Sequence, residues 1–318
     1  MRALIHGPQG LHAADAPDPR PREHQVLVAV AAFSLNFGEI AYRPSGEPTG
    51  HVPGWDAAGI VARAAADGSG PEVGTRVVTF GWDGAWAELR AADTTNLAVV
   101  PEAVDLGVAA ALPVAGVTAL QAVRRLGSVL GRRVLVTGAS GGVGRFAVQL
   151  AALAGAHVIA SVGSPERAEG LRELGAAEIV PGPGALSTPV YGVLDNVGGP
   201  QLAEAFYRLE ADGVVQAIGR AARQPTTIDF EVAGTNSARG RLENFNVATP
   251  FADDLAVLLG LLESGRLRPQ IGWRGPWQQA ELAADALLSR QVRGKAVLDV
   301  PITGQWAAQQ RGVRDAGS

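Results

Sequence analysis

The sequence predicts an α/β chain with a β-rich part and a parallel sheet joined by crossover helices. Three observations predict it. Residues 1 to about 115 carry short apolar runs broken by Gly and Pro turns. From 116 to 247, continuous apolar strands alternate with segments of helical period. Inside that alternation stands RVLVTGASGGVGRFAVQLAALAGAHVIASVGSPER (133–167), which reads strand, glycine turn, helix, strand.

Composition narrows the classes. The chain has 318 residues, enough for two ordinary domains, and is 47% hydrophobic and 18% charged, a globular balance. A net charge of −4 argues against nucleic acid or an anionic membrane as a partner. With no cysteine, disulfides, thiolate nucleophiles and cysteine-bound zinc are all excluded. No apolar run is long enough to span a bilayer. The opening MRALIHGPQG lacks an apolar signal core, so a cytoplasmic protein is expected. Lys295 is the only lysine.

Taken in order, MRALIH, a proline-containing turn and QVLVAVAA (25–32) read as an antiparallel opening. AAGIVARAA (57–65) and GTRVVTFG (74–81) read as further short strands. GVTALQAVRRLGSVL (116–130) has a helical pattern, RVLVTG (133–138) is an apolar strand, VGRFAVQLAALAG a helix and HVIASVG a strand. SPERAEGLRELGA predicts a helix with Ser164 as N-cap and Pro165 in its first turn. GVLDNVGG (192–199), QLAEAFYRL and GVVQAIG (213–219) continue the alternation. FADDLAVLLGLLESG is helical, GKAVLDV closes as a strand, and residues 301–318 have no period and read as a flexible tail.

The glycine turn carries the first chemical signal. Gly138-Ala-Ser-Gly141-Gly142-Val-Gly144 departs from strict G-x-G-x-x-G. It keeps a tight turn, a glycine where backbone meets pyrophosphate, and a glycine where helix meets sheet. The helix that follows points its free N–H groups at phosphates. An NAD site sets an Asp or Glu about twenty residues on. Here the second strand ends Ala160-Ser161-Val162-Gly163-Ser164, with Arg167 nearby. A small polar loop beside a guanidinium suits a 2′-phosphate, which a carboxylate would repel, so NADP(H) is favoured over NAD. Taken alone, Arg167 reads equally well as a solvated surface arginine.

SLNFGEI (34–40), VPGWDAAGIV (52–61), LPVAGVTAL (112–120), GASGGVG (138–144), LDNVGG (194–199) and RGKAVLDV (293–300) follow one another in order. Together they resemble the medium-chain dehydrogenase/reductase superfamily, and within it the zinc-independent quinone oxidoreductases and enoyl reductases. The resemblance implies a GroES-like β-rich catalytic domain (1–115 and 248–300) and an inserted Rossmann domain with a doubly wound parallel sheet (116–247), with NADP(H) in the cleft.

Zinc-dependent relatives carry a Cys, a Gly-His-Glu and later ligands. Here the Gly-His-Glu position resembles Gly54-Trp55-Asp56, and His51 is the only histidine nearby. One imidazole is no catalytic zinc site, which needs three protein ligands. Simple alcohols need a metal or base to become alkoxides, whereas a quinone or conjugated enone needs only a hydride and then a proton. The expectation is therefore an NADPH-dependent oxidoreductase reducing a quinone or an activated C=C bond.

The resemblance carries residues over one by one. Asn36 matches an asparagine near the nicotinamide, where it positions the ribose side or a substrate oxygen; the plainer reading is a helix cap. Thr118 contacts the nicotinamide end. Ser140, Gly141, Gly142 and Val143 line the pyrophosphate. Gly163, Ser164 and Arg167 match a Gly-Ser/Thr-x-x-Lys pattern for the 2′-phosphate, and the family's further tyrosine contact has no counterpart in IVPGPG (179–184). Asn196, Val197, Gly219 and Arg220 lie past later strand ends, where ligands gather. Phe245 and Asn246 match a segment over the nicotinamide. Lys295 falls in the closing Gly-Lys motif and is either a cofactor contact or structural. Tyr42, offset by one from the family tyrosine, is the candidate proton donor. Trp55, Trp82 and Trp86 either wall a pocket for flat substrates or fill the small β domain.

Other readings stay open. One is an enoyl reductase acting on a polyketide-type or carrier-bound substrate. Another is an NADPH-binding protein with little turnover, as family crystallins are. A short-chain dehydrogenase is excluded, because the sole lysine has no tyrosine four residues before it. The partners expected are a small-molecule substrate and a second copy, a homodimer paired through an edge strand around 238–247.

Overall fold

The computed structural model describes residues 1–7, 10–42, 50–237 and 239–302. The expected flexible tail lies almost wholly outside them. The chain forms two compact units, one of residues 1–117 and those from 249 onward, the other of residues 118–248.

The first unit opens with β1 (Arg2–Gly7) antiparallel to β2 (Gly10–Asp15). β3 (Gln25–Leu35), rich in Val and Ala and buried on both faces, is its backbone. The short α1 (Phe37–Ala41) follows, then β4 (Asp56–Arg63), β5 (Arg76–Phe80), β6 (Leu89–Asp93), β7 (Leu97–Val99) and α2 (Leu106–Ala110). The unit boundary falls within α3 (Pro113–Arg125).

The second unit runs β8 (Arg133–Val136), α4 (Gly142–Leu153), β9 (His157–Ser161), β10 (Ala176–Val180), β11 (Val190–Asp195), α5 (Gly199–Phe206), β12 (Leu209–Ala217), α6 (Phe230–Asn236) and β13 (Arg241–Asn244). Its six strands are all parallel, in the order β10-β9-β8-β11-β12-β13. That is the doubly wound order, with the chain reversing direction across the sheet between β8 and β11. Ligands of such sheets gather beyond the strand ends at that reversal. Here those ends are Thr137–Ser140 and Asn196–Gly198.

The chain then returns to the first unit as α7 (Ala252–Glu263), β14 (Ile271–Pro276), α8 (Ala280–Leu288) and β15 (Lys295–Asp299). The seven-stranded sheet runs β14-β15-β3-β4-β5-β7, with β6 also on β3. β15 lies antiparallel to β3, pairing Ala296 with Leu35. This register sets Lys295 beside the end of β3 and Asn36. The core packs Leu4, Phe33, Leu35, Trp86, Trp277 and Leu298. No helix among the described residues is long and apolar enough to cross a membrane.

Two sequence expectations are corrected. Residues 164–176 form no α-helix but a 3₁₀ turn at Pro165–Ala168 followed by further turns, and Ser164 makes no side-chain cap. Gly170 at φ 76° breaks the helical run. The N-terminal strand pairs not with 25–32 but with the unanticipated β2. β10, β14 and α8 were not anticipated either.

Candidate active site

The candidate dinucleotide residues lie in the second unit. Beyond β8 the chain turns through Gly138 at φ 57°, and the Gly141 N–H donates to Gly138 O at 3.0 Å. A Cβ on Gly144 would stand 2.3 Å from Gly138 O and 2.7 Å from the Ala139 Cα, so only glycine lets α4 close on the turn. Gly141 is the N-cap, and the half-buried Gly142 and Val143 begin the helix and offer its first-turn N–H groups.

Ser140, buried in this turn, is gripped from two sides. The Arg167 Nε donates to its Oγ at 2.9 Å, and the Arg145 Nε donates to its carbonyl at 3.2 Å. Gly163 and Ser164 follow the end of β9, and a Cβ on the exposed Gly163 would meet nothing within 4 Å. No acid ends that strand.

At the end of β11, Asp195 is fully buried and accepts from Thr137 Oγ1 at 2.6 Å and from the Gly198 N–H at 2.8 Å. Burial pushes its carboxyl above the ordinary range, and those two hydrogen bonds hold the rise back. Asn196 donates its backbone N–H to Thr137 Oγ1 at 3.0 Å and Nδ2 to Thr137 O at 2.9 Å. Its Oδ1 is buried with no hydrogen-bond partner among the described residues. A buried carbonyl without a donor is costly, so a ligand hydroxyl arriving there would be stabilised.

A Cβ on Gly138 would lie 3.2 Å from Val197, and one on Gly219 would meet Asn196 O at 2.4 Å. Arg220 is exposed beyond β12. Thr118 is buried on α3. The Phe245 ring is buried with the Arg125 guanidinium 4.6 Å from its centroid, and the exposed Asn246 receives Arg125 Nη2 at its carbonyl.

The first unit holds its own buried polar cluster. The Lys295 Nζ donates to Leu35 O at 3.0 Å, Asn36 Oδ1 at 2.6 Å and Asp56 Oδ2 at 3.3 Å. All three of its protons are thus directed inside the unit, and Lys295 is 2% exposed. Asp56 also accepts from Ser34 Oγ at 3.1 Å, Asn36 Nδ2 at 2.9 Å and the Val114 N–H at 3.0 Å. Glu39 reaches back to the Asn36 N–H at 2.6 Å, the return half of a capping box, and takes the Trp55 N–H at 3.0 Å. Asn36 Nδ2 meets it at 3.3 Å. Burial first and the Asp56 charge second push the Glu39 carboxyl up to about 8.

Tyr42 ends α1, 38% exposed, with its ring edge-on to Phe37. Trp86 is core, fully buried, while Trp82 is 58% exposed and edge-on to both Trp55 and Phe80. His51 belongs to no group of three metal-ligating side chains among the described residues.

Sequence reading missed Glu39, Ser34, Arg145, Thr137 and Asp195 as members of these sites, and took Asp56 only as a lost ligand. One signal was available, since Asn36-x-x-Glu39 has capping-box spacing. The others depend on tertiary contacts that no local spacing encodes.

Two family models match the chain, one mainly in each unit. The alcohol dehydrogenase GroES-like domain model matches residues 22–102, and the zinc-binding dehydrogenase model matches 142–248. A chloroplast envelope quinone oxidoreductase homolog of Arabidopsis thaliana is 30% identical over 318 residues, covering 92% of this chain and 95% of that protein. Acrylyl-CoA reductase AcuI of Ruegeria pomeroyi is 33% identical over 304 residues, covering 87% and 90%. Among solved structures, mycobacterial Rv1454c complexed with NADPH superposes with a TM-score of 0.81 at 26% identity, covering 94% of this chain and 100% of that one. With the doubly wound sheet, the glycine turn and relatives of this extent in place, the chain belongs to the medium-chain dehydrogenase/reductase superfamily, in its quinone oxidoreductase and enoyl reductase branch.

Proposed function

We propose that this chain is an NADPH-dependent, zinc-independent reductase that delivers hydride to a quinone or to an activated C=C bond. The observation that carries the reading is the Lys295 ammonium set between Asn36 Oδ1 and Asp56 Oδ2. Asp56 stands where the resemblance sets the Gly-His-Glu of zinc-dependent relatives. Here that carboxylate is buried, already compensated by an internal cation, and saturated by three further donors. Such a centre has no ligand left for a metal. Electron-poor acceptors need none.

The residues of the second unit fit NADP(H). The glycine turn leaves no room for side chains at Gly144, Asn196 Oδ1 wants a donor, and Arg167 stands beside the turn where a carboxylate would repel a 2′-phosphate. Gly142 and Val143 N–H groups would hold the pyrophosphate beside Gly141, Ser164 and Arg167 the 2′-phosphate, and Asn196 Oδ1 a cofactor hydroxyl. When bound, the dihydronicotinamide supplies the hydride.

In the first unit, Asn36 has a defined polarity. Both Nδ2 protons point to carboxyl oxygens, of Asp56 and Glu39, and one Oδ1 lone pair to Lys295. What remains is a lone pair, so Asn36 receives a hydroxyl donor and does not donate to a substrate carbonyl. This narrows the sequence expectation that it positions a substrate oxygen. The proton for the reduced carbon comes from solvent or from Tyr42.

A thioester substrate is a second reading, favoured by the acrylyl-CoA reductase relative. For assembly, β13 at the edge of the second unit's sheet, with Leu242 exposed, supports a homodimer through that edge. The test of function is titration with NADPH and NADH, then consumption assays on quinones, enones and enoyl thioesters. Tight NADPH binding with turnover of one class supports the reading. A preference for NADH, or no turnover of any class, overturns it.

A further inference from the structure

We propose that Arg145 is a positioning residue for 2′-phosphate recognition: a buried staple that holds the 163–170 loop against the glycine turn, so that Arg167 is left to engage the phosphate. The inference rests on the NADPH reading above.

Arg145 lies in the first turn of α4 and is only 5% exposed. Its guanidinium spans two segments. Nε donates to Ser140 O in the glycine turn at 3.2 Å, and Nη2 donates to Glu169 O at 2.8 Å. Nη1 lies 3.4 Å from where a Cβ on Gly170 would stand, so the loop closes tightly over the side chain. The planar fork of arginine can reach two carbonyls at fixed separation, which a lysine ammonium cannot do in the same way.

The two segments it joins have different needs. The glycine turn is held by its own backbone bonds, Gly141 N–H to Gly138 O at 3.0 Å and Ala139 N–H to Ser161 O at 3.1 Å. The loop that carries Gly163, Ser164 and Arg167 forms no α-helix, only a 3₁₀ turn with the Arg167 N–H on Ser164 O at 3.1 Å. A loop with so little regular structure needs an outside anchor to keep its geometry. Arg145 and Arg167 both meet Ser140, but on different atoms and at different depths. Arg145 binds the main-chain carbonyl from within. Arg167 binds the hydroxyl through Nε and is half-buried, nearer the surface than Arg145. If Arg167 leaves, Arg145 still fixes the separation between the pyrophosphate turn and the 2′-phosphate loop.

The experiment measures binding of 2′,5′-ADP and 5′-AMP by calorimetry to wild type, Arg145→Met and Arg145→Lys, with thermal melts alongside. These probes differ only in the 2′-phosphate and require no turnover. In Arg145→Met the Kd for 2′,5′-ADP should rise about tenfold, the scale of one lost hydrogen bond at the site, while that for 5′-AMP stays within about threefold. Arg145→Lys should lie between, since one carbonyl stays in reach, and it carries the test if the Met variant fails to fold. Equal weakening of both probes, or no change in either, overturns the staple. A wild type that binds 2′,5′-ADP no better than 5′-AMP overturns the NADPH reading itself, and the inference with it.

Discussion

The Lys295 Nζ lies 2.6 Å from Asn36 Oδ1, and that contact decides which way the Asn36 carboxamide faces. With the oxygen on the ammonium, the amide nitrogen turns to Asp56 Oδ2 at 2.9 Å and Glu39 Oε1 at 3.3 Å. The chain's single lysine thus orients its candidate site asparagine from 259 residues away in sequence.

Lys295→Met tests that arrangement. The change leaves the Asp56 carboxylate buried without its cation, a situation that costs about 3–5 kcal/mol. Urea unfolding should show a loss of that order. Adding Asp56→Asn should recover part of it, because the two residues are coupled. A loss below about 1 kcal/mol would mean that the pair is not charged in the folded protein.

Glu39 predicts a pH dependence of stability. Its carboxyl is raised from 4.5 to about 8, by burial first and Asp56 second, with Lys295 and the Asn36 and Trp55 N–H groups opposing; the Arg90 guanidinium also faces it. A raised folded pKa means that the native state holds a proton the unfolded chain has released. The stability this contributes is complete below about 4.5 and is lost as pH rises through about 8. The melting temperature of wild type should therefore fall between pH 5 and pH 9 more steeply than that of Glu39→Gln, with both measured at about 0.1 M salt to limit surface screening effects. Parallel slopes would show that Glu39 stays ionised throughout.

The sequence made the second unit legible because its signals are local. A continuous apolar strand, a turn that needs glycine and a helix after it all sit within about thirty residues, and the structure forms them where the pattern sets them. The 164–176 segment was misread because Ser-Pro-Glu imitates a helix start, while Gly170 at φ 76° prevents its continuation. The first unit's site was less legible. Glu39, Asp56 and Lys295 are far apart in sequence and meet only through the β15–β3 register. A lone lysine in a Gly-Lys motif gives no sign of which carboxylate it will meet. Trp86 and Trp82 show the same limit, since similar spacing among glycines buries one wholly and leaves the other 58% exposed.

Gly144→Ala should damage the dinucleotide half without touching the first unit. The added methyl would stand 2.3 Å from Gly138 O and 2.9 Å from the Ala139 carbonyl carbon, both backbone atoms that cannot rotate aside. Either α4 retreats from the turn or the turn deforms, and overpacking of this kind costs about 1–3 kcal/mol. Because the turn is the pyrophosphate cradle, NADPH affinity should fall by more than the melting temperature alone explains. Fluorescence titration against a thermal melt separates the two effects. A variant that binds NADPH like wild type would show that the turn is not the cofactor site.

Tyr42→Phe addresses the proton. A tyrosine acting as general acid contributes about a hundredfold or more to turnover. Tyr42, however, is 38% exposed at the end of α1, its ring edge-on to Phe37, in a place where water also has access. Water can protonate a reduced quinone or an enolate once hydride has arrived, so the hydroxyl is not required. We expect kcat for the best quinone or enone to stay within about threefold of wild type in Tyr42→Phe, with a similar solvent deuterium effect in both. A fall of about a hundredfold with KM unchanged would instead assign the proton to Tyr42, because only an interaction made in the transition state lowers kcat and kcat/KM together.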